Sequence, residues 1–148
     1  MLLKRCASVT AIVVVFLCGS VAADIKGVES EQRARINYML NCQGCHGPDG
    51  AGTRDGVVPL MKNFVGNFLK VDGGRGFLAR VPGSANAAVD DAQLAELLNW
   101  MLYTLSPEQV PIDFVPYEAK EVHDFRNNPL VDVYEVRTDL LTRMGVPE

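Results

Sequence analysis

Apolar residues recur along this chain at helical rather than alternating spacing, and the pattern reads as helices joined by turn-rich loops. The clearest run opens at Asp90 or Asp91. Leu94, Leu97, Leu98, Met101, Leu102 and Leu105 fall three and four apart as one stripe, which Ser106-Pro107 stops. An earlier helix is expected over Glu31–Asn41, capped by Ser30, with Ala34, Tyr38, Met39 and Leu40 as its apolar side. Gly47-Pro-Asp-Gly-Ala-Gly-Thr53 is a loop, residues 64–71 a short apolar segment, and Gly73-Gly-Arg-Gly76 a turn before a short helix. No Gly-Lys-Ser/Thr follows that cluster, so it is not a phosphate-binding loop. Pro107, Pro111 and Pro116 then space out an extended linker. Beyond it one helix is expected over about 117–125. A second opens at Asn128-Pro129 and runs through Val133, Val136, Leu140 and Leu141 to Gly145. With no strand pattern and no repeat, the expectation is an all-α protein: one domain over 24–105, then a linker and helical extension over 106–148.

The first residues read differently. Lys4 and Arg5 precede a short apolar core, Ala11-Ile-Val-Val-Val-Phe-Leu17, and Val21-Ala22-Ala23 has the small-residue form of a signal-peptidase site. Ser8, Thr10, Gly19 and Ser20 break the apolar stretch, which falls short of the ~20 apolar residues of a spanning helix. The expectation is an exported chain, cleaved before Asp24, periplasmic and without stable membrane insertion. Cys6 and Cys18 leave with the leader, so Cys42 and Cys45 remain and no disulfide framework between distant segments is possible.

Charge narrows the partners. The formal net charge of −4 becomes more negative by two when Lys4 and Arg5 are removed, and no basic stripe suits nucleic acid.

Cys42-Gln43-Gly44-Cys45-His46 is the attachment pattern of a c-type haem. Two thiols three positions apart on a helical turn each add to one haem vinyl group, and the histidine after the second is held under the iron as an axial ligand. Two other chemistries use such a pair. A structural zinc needs four ligands, and only His46 and His123 are left to join the cysteines. A thioredoxin-like redox pair is expected after a strand, whereas this one follows a helical pattern.

Helix, Cys42-Gln-Gly-Cys-His46, the glycine loop to Thr53, Val58-Pro59-Leu60 and a late amphipathic helix bearing Trp100 together resemble a class I c-type cytochrome over about residues 30–105. The resemblance implies a class I cytochrome c fold around one covalent haem c, thioether bonds from Cys42 and Cys45, and proximal iron ligation by His46. It implies that the Pro59 carbonyl accepts the imidazole N–H, a bond that fixes ring orientation. It also implies that Tyr38 or Met39 meets Trp100 where the first and last helices cross.

The chain departs from the family at the sixth iron ligand. The stretch Ala79-Arg-Val-Pro-Gly-Ser-Ala-Asn-Ala-Ala-Val89, where members carry a methionine, has neither methionine nor histidine. A five-coordinate or weakly ligated iron is one reading. His123 folding back from the extension, Met61 beside Pro59, and Asn86 or Ser84 holding a ligand on the iron are others, while Met101 and Met39 read as packing. Arg75, Arg80 and Lys62 are the cations considered for the haem propionates. The expected function is single-electron transfer rather than catalysis, as acceptor for a periplasmic dehydrogenase, passing electrons to an oxidase or another cytochrome. Two alternatives stand beside it: an open distal site that binds a small ligand or serves an oxidoreductase, and a haem subunit docked in a larger complex through its extension.

Overall fold

The computed structural model describes residues 24–146; the expected leader, with Cys6 and Cys18, lies outside them. Among the described residues the regular structure is all helical: α1 (Glu31–Asn41), α2 (Gln43–His46), α3 (Gly74–Arg80), α4 (Pro82–Ala85), α5 (Asp91–Leu105), α6 (Ala119–Arg126) and α7 (Val133–Met144). Short 3₁₀ turns cover Val65–Lys70 and Pro107–Gln109.

Local chemistry sets the ends of the main helices. Ser30 adopts an extended backbone and its Oγ accepts from the Arg33 N–H, so α1 starts where a cap is available. Asp90 does the same for α5 through the Gln93 N–H at 2.8 Å. Each such cap contributes about 1 kcal/mol.

Over residues 94–102 helix α5 is buried on every side. Its expected stripe is inside, and so are Ala95, Glu96, Asn99 and Trp100. Helix α1 crosses it through Ala34 and Tyr38, and Tyr38 meets the Trp100 ring at 5.5 Å between centroids. Met39 and Leu40, expected on the apolar side, are instead exposed: the buried face repeats at i, i+4 through 34 and 38, and 39 and 40 turn away from it.

Two polar groups on α5 hold the segment that leads into α1 and the Tyr117 turn of the extension. The buried Glu96 carboxylate accepts from the Glu29 and Ser30 N–H groups at 2.9 and 2.8 Å and from both Nε and an Nη of Arg33. Asn99, fully buried, donates to the carbonyls of Gly27 and Tyr117 and accepts from the Tyr117 N–H at 2.8 Å. One amide thus ties the N-terminal arm and the extension to the same helix turn.

The extension packs into the core. Phe114, Tyr117, Val122, Leu140 and Leu141 are buried in the cluster that holds Leu94, Leu98 and Leu102. Its last helix opens at Asp132, whose carboxylate accepts from the Glu135 N–H, rather than at Asn128-Pro129. That dipeptide is taken by a tertiary contact: Arg80 Nε donates to the Asn128 carbonyl, and the Leu130 N–H donates to the Arg80 carbonyl. Gly145, in the left-handed region, ends α7.

Candidate functional site

The Cys42–His46 segment is a single helical turn, closed by bonds from the His46 N–H to the Cys42 carbonyl and from the Gly47 N–H to the Gln43 carbonyl. Tyr38 steadies it from below by donating its O–H to the Gly47 carbonyl at 2.8 Å. The glycine loop then folds back. The Gly52 N–H donates to the His46 carbonyl, and a Cβ at Gly52 would lie 2.4 Å from the Val58 oxygen and 2.8 Å from that of Pro59. Only glycine permits this approach, which brings the Pro59 carbonyl to 3.2 Å from His46 Nδ1. A carbonyl can only accept, so this bond requires the proton on Nδ1 and leaves the Nε2 lone pair free in the neutral ring.

Beside His46 opens a cleft of about 230 Å³, a little under the ~300–1,000 Å³ common for cofactor sites and open to solvent on one side. One wall is Cys42 and His46 with Pro59, Leu60 and Met61. Phe68, Phe77, Leu78 and Val81 continue the lining, Met101 of α5 adds to it, and Val133 and Arg137 bring α7 to its edge. The surface is mainly hydrocarbon, with a free imidazole nitrogen and a thiol among its few polar groups. No known protein family, curated protein or solved structure matches this chain.

The two cysteines are not bonded to each other; Cys42 is half-buried and Cys45 exposed. Burial pushes the Cys42 thiol up to about 11, with the neighbouring Cys45 adding to it. A redox-active pair has its attacking thiol lowered instead, and no strand precedes it among the described residues. The zinc alternative also lacks surroundings: among the described residues no three of histidine, cysteine, aspartate and glutamate gather where they could hold a metal. His123 is with Asp91 rather than with the cysteines.

The structure sorts the sixth-ligand candidates. His123 does not approach the cleft: its Nδ1 pairs with Asp91 at 2.9 Å, its Nε2 meets the Asn127 amide, and its side chain is 62% exposed. Asn86 ends α4 on the surface, while Ser84 two residues earlier lines the cleft. Met61 is buried on the same wall as Pro59, and Met101, expected only to pack, also reaches the lining. Met39 is half-exposed and outside it.

The cations considered for anion binding are engaged elsewhere. Arg75 pairs with Glu121, donates to the carbonyls of Val115 and Pro116, and stacks 4.1 Å over the Tyr117 ring. Arg80 holds Asn128, and Lys62 pairs with Asp49 at 2.9 Å. What sequence reasoning missed is Arg137 at the cleft. Its position one turn after Val133, on the helix face that carries Leu140 and Leu141, is the signal that could have found it. Arg126 was missed too. It donates to the carbonyls of Ala85, Ala87 and Val89 and pairs with Asp91, fixing the 79–89 stretch against α6.

Proposed function

We propose that this protein is a periplasmic mono-haem c-type cytochrome that carries single electrons between redox proteins, from a periplasmic dehydrogenase to an oxidase or another cytochrome. The observation that carries the reading is the bond between His46 Nδ1 and the Pro59 carbonyl at the wall of an apolar cleft. It leaves Nε2 as the nitrogen that would ligate iron, beside a thiol on the same turn. Cys42 and Cys45 would hold the haem covalently, His46 would take the proximal position on iron, and Pro59 would fix its ring. Bound there, the haem supplies a one-electron couple, and the hydrocarbon lining limits its contact with water and so helps to set its potential. The periplasmic setting and the partners rest on the resemblance and the expected leader.

Co-expression with a c-type cytochrome maturation system tests this directly. Haem should stay with the polypeptide on a denaturing gel, and Cys42→Ala with Cys45→Ala should release it. Chains that mature without any covalent haem would sink the proposal.

A second reading, an exchangeable distal position, is favoured by the 79–89 stretch, which brings Ser84 but no methionine or histidine to the cleft. Spectra of the holoprotein separate the two. A low-spin form with the far-red band of methionine–iron bonding excludes the open site. High-spin features with rapid carbon monoxide binding count against the simple carrier. His123→Ala should leave every spectrum unchanged.

A further inference from the structure

Arg137 is the only lysine or arginine among the described residues that line the cleft. It is half-buried, and no hydrogen bond or ion pair to the described residues engages its guanidinium. The contrast with its neighbours is sharp. Arg75, Arg80 and Arg126 are each held by carbonyls or carboxylates, and Arg33 and Arg143 by acids. A guanidinium facing hydrocarbon without an anion loses hydration with no return, whereas an anion in the cleft would gain a charge-assisted and even bidentate pair. The helix that carries it is well anchored: Leu140 and Leu141 are buried one turn further on, so the position of Arg137 does not depend on its own contacts.

We propose that Arg137 is the anion-binding residue of the cleft, supplied by the C-terminal extension. This inference rests on the haem reading. The chemistry it recognises is a carboxylate or small anion, from one of two sources: a carboxylate of the bound haem, or a free anion that enters beside it. In both cases α7 is a working wall of the site rather than an appendage to it.

Holoprotein with covalent haem, prepared as the native chain, Arg137→Gln and Arg137→Lys, tests this. Covalent haem on the gel reports the haem reading by itself. If the partner is the haem's own carboxylate, Arg137→Gln lowers the midpoint potential, because removing a cation favours the oxidised form. The expected shift is about threefold or more in the oxidised-to-reduced ratio at fixed potential, the pH dependence of the potential moves, and Arg137→Lys restores most of it. If the partner is a free anion, potentials in anion-free buffer agree. Azide binding then weakens at least tenfold in Arg137→Gln, while binding of uncharged carbon monoxide is unchanged. Haem-loaded variants with the native potential, pH profile and azide affinity would overturn the assignment of Arg137 and leave the haem reading standing. A chain without covalent haem would overturn both.

Discussion

At the scale of single residues, two positions concentrate the architecture of the site and of its support. Gly52 lies at φ +67° against the Val58 and Pro59 carbonyls. Gly52→Ala forces a strained backbone and a clash with main chain, so it should cost about 1–3 kcal/mol in urea unfolding. It should also perturb the His46 environment, read by the imidazole resonances. An alanine variant with native stability and native His46 shifts would refute the role. Glu96 supports α1 from beneath. Burial pushes its carboxyl up, but the Arg33 guanidinium and the N–H groups of Ser30 and Glu29 outweigh that and hold it below the ordinary glutamate value. Because the folded value is depressed, this stabilisation is complete above the unfolded pKa of ~4.3 and is lost as pH falls through the folded value. Glu96→Gln should therefore lose about 1–3 kcal/mol at pH 7, with the gap to the native protein closing below about pH 4. A gap that stays constant with pH would show that the charge is not what matters.

At the scale of elements, α5 is the hub, and Asn99 is where two outlying segments meet on it. Asn99→Ala leaves the Tyr117 N–H without its acceptor inside the protein. The expected cost is about 2–4 kcal/mol, with faster protease cleavage in the 107–118 segment. If cleavage accelerates nowhere, the amide is not what holds the extension. The elements also show where sequence suffices. The starts of α1 and α5 were legible because Ser30 and Asp90 act within three residues of themselves. The helical turn at Cys42–His46 was legible for the same reason, since the bonds that close it span only four residues. The start of α7 was not: Asn128-Pro129 is a sound local signal, but Arg80, far away in sequence, claims that turn. Glu96 and Asn99 looked like ordinary polar positions on a helix because their partners are 63–67 and 18–72 residues distant. The cleft walls followed suit. The residues next to the motif could be named from the chain alone, whereas Val133 and Arg137 depend on how the extension returns.

At the scale of the whole molecule, one cluster of apolar side chains serves both the described part up to residue 105 and the part beyond it. Tyr117 adds a polar tie by donating its O–H to the Arg75 carbonyl, and Arg126 and Arg80 add others. A chain ending at Ser106 would lose five buried apolar side chains, at about 1.5–3 kcal/mol each, which rivals the ~5–15 kcal/mol net stability of a typical domain. It should show no cooperative unfolding transition by circular dichroism. A truncated chain that melts cooperatively would make the extension a separate unit.

The wall formed by α7 has a consequence in time. A polypeptide is made from its N-terminus, and folding tends to follow that order. The Cys42–His46 turn, the glycine loop and the Pro59 carbonyl all exist long before Val133 and Arg137 do. During that interval the shared core lacks the five side chains that the extension adds, so a broad, rigid guest would meet open chain instead of a finished opening. Once Leu140 and Leu141 are seated, the same guest would meet a narrower door, so the order of synthesis itself favours loading early.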